Sequence, residues 1–294
     1  MAEKDITEKL LTDIDEVFAD IYNNLCFNGE NIIKPDDLSS ASVTTAFISN
    51  DVTRGLISDV SKIYKNSNLT LALLNIENQS TEDSDMPFRI IGYEGAKYNS
   101  QLISGSDARY AVATLVLNFN TKKRWSTPKS IKESLKNKYP IELDEYINDY
   151  KVNVIDVAFM DKEDIEKLNS DFKAVAKYYY LKRNNIENLE ELGECNLKYP
   201  VQTFATMKAL TGDSRFEIAY NYYEETHKDD KGVTMEKILD TIEARGEARG
   251  EAKGKELQAK ETAINLKNMN MDEETIAKAV GRDTETVKKW ISLN

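Results

Sequence analysis

Asn75, Glu77 and Gln79 alternate along the segment Leu69-Thr-Leu-Ala-Leu-Leu-Asn-Ile-Glu-Asn-Gln79. In an extended strand residues two apart share a face, so these three polar side chains project together while Ile76 and Asn78 point the other way. The turn residues Asn66-Ser67-Asn68 precede the segment, so residues 57–65 are expected to pair antiparallel with 69–77 as a hairpin. Paired positions then sum to about 134, which sets Asp59 opposite Asn75 and diagonal to Glu77, roughly 7–8 Å away between backbones. Two carboxylates converging on one spot repel unless a cation lies between them, and Mg²⁺ or Mn²⁺ with oxygen ligands and retained waters suits that geometry. Such an ion stabilises charge on a scissile phosphate and acidifies a bound water. The uncharged Gln79 is placed to orient that water.

Other chemistries lack their parts. The chain has a single histidine, His227, read as a surface residue, so His-rich zinc sites and most Ser-His-Asp arrangements are excluded. Its two cysteines, Cys26 and Cys195, exclude a disulfide scaffold and fit a reduced, cytoplasmic compartment. The opening Met-Ala-Glu-Lys-Asp does not read as a signal peptide, and Leu69 to Ile76 is too short an apolar run to span a bilayer. With 51 acidic and 39 basic residues the net charge is −12, which argues against a surface coated for nucleic acid. Residues 121–138 are the exception: Lys122, Lys123, Arg124, Lys129, Lys132, Lys136 and Lys138 face one acid, Glu133. With Trp125 available to stack, this loop and amphipathic helix form either a DNA-binding patch, the reading favoured here, or a solvated surface.

The elements that must position these residues follow from periodicity. Leu10, Leu11, Ile14, Val17, Phe18, Ile21 and Leu25 form the stripe of an amphipathic helix over 5–26. Residues 111–119 and 152–159 read as further strands, 87–102 as a helix, and Ile165, Leu168, Phe172, Val175, Ala176 and Tyr179 as a helical run. The order implies an α/β fold with helices around a small mixed sheet. From about 233 the composition shifts. An Ala-Arg-Gly-Glu repeat occupies 244–255, within a stretch at 243–261 holding five Glu and five Lys or Arg. It reads as a charged helical linker, or as a helix that self-associates into a homodimer through its Gly/Ala stripe. Near the end, Asp272 and Asp283 are placed to cap two short helices separated by Gly281, a helix-turn-helix-like pattern that also fits a packing or dimerisation tail.

The segments Phe18-Ala-Asp-Ile-Tyr-Asn23 with Phe27-Asn-Gly-Glu30, Ile33-Lys-Pro-Asp-Asp-Leu38, Asp59-Val60, Leu74-Asn-Ile-Glu-Asn-Gln79 and Met86-Pro-Phe-Arg89 with Tyr93 resemble the recombination-promoting nuclease, or putative transposase, family over about residues 9–183. That resemblance implies a PD-(D/E)XK restriction-endonuclease-like core, with a mixed central sheet flanked by helices and an α-helical C-terminal extension. By matching positions it implies Asp59 and Glu77 as metal ligands, Gln79 in place of the usual third-strand lysine, and Asp20 as an additional acid near the metal. The loss of the lysine removes a cation that would stabilise the transition state. The literal Pro35-Asp36 pair sits in an upstream turn and reads as a decoy. Met86, Pro87, Arg89 and Tyr93 read as ties between helix and sheet, with Arg89 also able to reach phosphate.

The expected organisation is a nuclease-like domain over 1–232, a linker over 233–264 and a small helical tail over 265–294. The expected function is a divalent-metal-dependent DNA endonuclease connected with recombination or mobile elements. The competing expectation is a catalytically degenerate nuclease scaffold that binds DNA or protein.

Overall fold

An eleven-residue strand, Leu69–Gln79, carries the two faces on which the rest of the first unit is built. The computed structural model describes residues 9–42, 44–49, 52–57, 59–66, 69–104, 109–186, 189–226 and 233–292; within these, the side chains of 44–49, 52–57, 66, 69, 226 and 249 are not described. His227, Ser67 and Asn68 lie outside the described residues, as do 1–8. The strands are β1 (Leu38–Ser40), β2 (Thr44–Ser49), β3 (Val52–Ile57), β4 (Val60–Asn66), β5 (Leu69–Gln79), β6 (Ala111–Asn118) and β7 (Asn153–Asp156). Helix α1 spans Asp15–Leu25 and α2 Met86–Ile103. A mixed α/β fold results: a five-stranded sheet in the order β1-β4-β5-β6-β7, antiparallel through β5 and parallel from β5 to β7, with β2 and β3 as a separate hairpin. Parallel neighbours need a crossover, and α2 provides it between β5 and β6.

The register sorts side chains cleanly. Ile76 pairs with Val60 and Leu115, and Leu117 with Ile155, giving an apolar face. Buried Val17, Phe18 and Ile21 of α1 belong to the same core, and the Tyr22 hydroxyl donates to the Asn75 carbonyl at 2.7 Å. The opposite face takes Asn75 with Thr114, Glu77 with Val116 and Gln79 with Asn118. On that side α2 packs Met86, Ile90 and Tyr93 against Val116 and Val152. One face is therefore mostly hydrocarbon, with Lys62 paired to Asp13 and Asp15 at its margin, and the other is polar at its end.

The hairpin register differs from the expected one. Val60 pairs with Ile76 and Ser61 with Asn75, so the sum is two larger than anticipated, and extending the register by one residue sets Asp59 opposite Glu77 itself. The cause is a tighter connection, with Asn66 paired to Leu69, followed by a bulge that leaves Leu71 unpaired between the Lys65–Thr70 and Tyr64–Ala72 pairs.

The helical run through Ile165 to Tyr179 is likewise two helices, α3 (Lys162–Lys167) and α4 (Phe172–Arg183). Leu168 is extended, and the N–H groups of Asn169 and Ser170 donate to the Asp20 carboxylate of α1. That side chain supplies the acceptors that helix continuation would otherwise provide. Of the basic segment 129–138 only one helical turn forms, Ile131–Ser134.

Two further helices, α5 (Pro200–Thr211) and α6 (Ser214–Thr226), complete the first unit with a small ribbon of Asn196–Leu197 and Val233–Thr234. The chain divides into units Met1–Leu239 and Asp240–Asn294. In the second, the later part of helix α7 (Met235–Asn268) packs Ala263 and Leu266 against α8 (Glu273–Val280) and α9 (Thr284–Ser292) around Ile276, Ala277 and Val287. Asp272 and Asp283 cap the two short helices as expected, accepting from Thr275 and Thr286 N–H at 3.0 and 2.8 Å, and Gly281 adopts the left-handed φ of +64° that ends α8. The Ala-Arg-Gly-Glu repeat lies within α7 and is exposed where its side chains are described. Among the described residues, no helix is long and apolar enough to cross a membrane.

Phe18→Ala is expected to destabilise the first unit by about 3–5 kcal/mol in urea unfolding, whereas Ile103→Ala at an exposed helix end changes it by under about 0.5 kcal/mol.

Candidate functional site

The polar end of β5 lies beside β6 and β7 where all three parallel strands finish. Gln79, Asn118 and Asp156 are in register there, and the Asn118 amide donates to Asp156 at 2.7 Å. One row further in, Glu77 is 1% exposed and faces Asp59 across the β4–β5 pair. Asp59 is held from two sides: its Oδ2 accepts the Asn78 N–H at 2.8 Å, and its Oδ1 lies 3.0 Å from the Lys9 ammonium. From the first turn of α2, Arg89 approaches Glu77, with Nη2 3.9 Å from Oε2. Its guanidinium is fixed by Asp83 at 2.8 Å and by the Tyr93 hydroxyl, 3.2 Å from Nε and 3.0 Å from Nη2.

These neighbours do not compensate Glu77 fully. Its Oε1 is buried with no hydrogen-bond partner among the described residues. Burial, and then the charge of Asp59, push its carboxyl from the ordinary 4.5 up to about 8, against the opposing pull of Arg89, the Asp59 N–H and Lys9. Tyr93 is raised by burial and by the same pair of acids. Arg89 stays firmly charged: burial opposes it, and its bonds to Asp83 and Tyr93 outweigh that.

An orphaned buried carboxylate oxygen beside a second carboxylate is the donor chemistry of a hard divalent cation. Asp59 and Glu77 fit one as two oxygen ligands, with Gln79 on the same face to supply an amide oxygen or hold a water. Among the described residues no group of three His, Cys, Asp or Glu side chains converges, so the remaining ligands would be neutral oxygens.

Asp20 takes part in a different arrangement. Its carboxylate accepts from the Asn24 amide at 2.8 Å, the Ser170 N–H at 2.9 Å and the Ser170 hydroxyl at 2.7 Å. It lines a polar cavity of about 390 Å³ with Glu16, Asn23, Asn31, Lys198 and Tyr199. Its hydrogen bonds run to the start of α4 rather than toward Asp59 or Glu77.

The basic segment is less uniform than its composition. Trp125, expected to be available for stacking, is 5% exposed and packed with Met86, Ile90, Tyr93 and Val116, its backbone N–H tied to Asp156 at 2.8 Å with the indole turned inward. Lys123 pairs with Glu82, whose carboxyl is held down to about 2 by that lysine and by the Ser126 N–H. Lys132 donates to the Asp144 carbonyl and carboxylate, and the Lys129 N–H donates to Glu133. Lys122, Lys123 and Arg124 remain exposed on the loop directly after β6, at the end of the sheet that bears Gln79. Arg124 also rests over the Phe159 ring at 5.1 Å.

Lys9 and Asp83 were not visible as site residues in the sequence. Nothing in the local pattern marks Lys9, which reaches Asp59 across fifty positions. Asp83 carries only the weak signal of an acid ahead of a basic helix start.

Residues 9–195 match the family model described as "Putative transposase, YhgA-like". No curated protein and no solved structure matches the chain significantly.

The Glu77 shift has a defined sign in stability. The folded chain holds a proton on Glu77 that the unfolded chain has lost above about 4.5, so this contribution to stability falls as pH rises toward about 8 and then levels off. In chelator, wild type is therefore expected to lose stability relative to Glu77→Gln between these pH values, as read from urea unfolding at each pH. A pH-independent difference would mean that Glu77 is ionised throughout.

Proposed function

Because the chain belongs to the YhgA-like putative transposase family, which implies a mobile-element association and contact with DNA, we propose that it is a divalent-metal-dependent DNA endonuclease with a PD-(D/E)XK-type core. One observation carries the reading: Glu77, buried with an unpartnered oxygen, stands across from Asp59 on the polar face of the sheet. An uncompensated acid pair is costly to keep unless a bound cation completes it.

Asp59 and Glu77 would hold Mg²⁺ or Mn²⁺, which when bound supplies positive charge at the scissile phosphate and an acidified water. The Asn78 N–H fixes the Asp59 carboxylate, leaving Lys9 as the exchangeable cation on its other oxygen. Gln79, in register with Asn118, orients water or phosphate through its amide. Asn118 and Asp156 hold the rest of that row rigid beside it. Lys122, Lys123 and Arg124 guide the DNA backbone toward the same strand ends. Asp20 belongs to the scaffold in this scheme, joining α1 to α4.

Purified wild type is expected to nick supercoiled plasmid in Mn²⁺, and Asp59→Asn and Glu77→Gln to lose more than about 100-fold in rate, beyond the usual cost of disturbing an outer partner of a metal site. Equal cleavage by all three would assign the activity to a contaminant. Absence of a calorimetric Mn²⁺ site that Glu77→Gln removes would favour a scaffold that binds without cutting. Charge reversal at Lys122, Lys123 and Arg124 is expected to lower the salt slope of DNA binding by about 2–3, measured by fluorescence anisotropy; an unchanged slope removes this loop from the DNA path.

A further inference from the structure

Resting on the nuclease reading above, we infer that Arg89 is the catalytic cation that grips the scissile phosphate, filling from helix α2 the role that the neutral Gln79 cannot fill from strand β5. Hydrolysis forms a bond from a water oxygen to phosphorus and breaks one bridging P–O bond. The water's proton passes to solvent, and the departing oxygen takes one up and leaves as a hydroxyl. Negative charge builds on the non-bridging oxygens and on the leaving oxygen during this exchange, and a positive donor aimed at them lowers the barrier.

Among the described residues, several cations stand near this end of the polar face. Lys9 is bound to Asp59 at 3.0 Å, and Lys123 is bound to Glu82. Arg89 differs in three ways. Its Nη2 lies 3.9 Å from Glu77 Oε2, close enough to share a ligand with that carboxylate and too long for a good hydrogen bond to it. Its orientation is set from behind, by Asp83 on Nη1 and by the Tyr93 hydroxyl on Nε and Nη2. Those bonds use three of its five N–H groups, and its side chain is 36% exposed, so one N–H on each terminal nitrogen is left for an incoming oxygen. A guanidinium offering two donors from a fixed plane matches two non-bridging phosphate oxygens. Arg89 also sits in the first turn of α2, whose N-terminal field favours an anion at the same place.

The test compares single-turnover cleavage of a labelled duplex in Mn²⁺ with the affinity for the same duplex and with the thermal midpoint. Arg89→Gln is expected to slow cleavage by about 10²–10³-fold while affinity changes by no more than a few fold, and added guanidinium is expected to restore part of the rate in Arg89→Ala. Arg89→Lys keeps the charge and covers the case in which Arg89→Gln does not fold. It should cleave about tenfold or more slowly than wild type, because an ammonium cannot reproduce the paired donors. Wild-type rates in Arg89→Lys and Arg89→Gln, in a preparation where Glu77→Gln is inactive, overturn the assignment to Arg89 and leave the nuclease reading intact. Absence of cleavage by wild type, or undiminished cleavage by Glu77→Gln, overturns both.

Discussion

Placing two carboxylates against each other on a sheet is a constraint that the rest of the first unit answers to. Asp59 and Glu77 face one another because of the β4–β5 register, and their mutual repulsion adds to the desolvation that Glu77 already suffers. Every neighbouring polar group is then a response. The Asn78 N–H and Lys9 settle Asp59, Arg89 leans toward Glu77, and Asp83 and Tyr93 hold Arg89 in turn. The opposite face of the same strands is mostly apolar, covered by Val17, Phe18 and Ile21 of α1, and its one charged group of β4, Lys62, is ion-paired with Asp13 and Asp15. The apolar face provides the rigidity on which an unfavourable charge arrangement can be maintained.

The polar face is organised in rows across the sheet. Ser61, Asn75 and Thr114 form a buried chain of hydrogen bonds, with the Ser61 hydroxyl donating to Asn75 at 2.7 Å and the Asn75 amide to Thr114 at 3.1 Å. Beyond it comes the acid pair, and beyond that Gln79, Asn118 and Asp156. Each step outward exchanges internal satisfaction for availability. The innermost row is bonded within the core, the middle row has one open oxygen, and the outermost row borders the exposed basic loop. Such a gradient orders a site without needing mobile parts.

Much of this was legible in the sequence because period two is a strong signal. The alternation of Asn75, Glu77 and Gln79 identified the face, and the strand and helix order identified the mixed sheet. The register was not legible, since a bulge is invisible to a pattern that simply counts back from a turn. Trp125 was misjudged for a related reason: a loop rich in lysine reads as wet, while its backbone N–H is tied to Asp156 and its indole lies in the core. The break between α3 and α4 depends on Asp20, 150 residues earlier in the chain than Ser170, and no local window contains both. Arg89 was visible as a helix–sheet tie, but its orientation by Asp83 and Tyr93 emerges only when α2 is laid on the sheet.

The extra residue in β5 has a consequence for which changes of length the hairpin can absorb. Leu71 has no place in the β4 ladder and pairing with β6 starts at Ala72, so removing Leu71 would let Ala72 follow Thr70 opposite Tyr64 and leave every later pair in place. A single residue lost or gained between Ala72 and Ile76 would instead bring asparagine or isoleucine to the place that glutamate now holds. Lineages carrying this hairpin should therefore vary in length at the bulge, while the spacing between bulge and acid drifts less than the identities of the residues filling it.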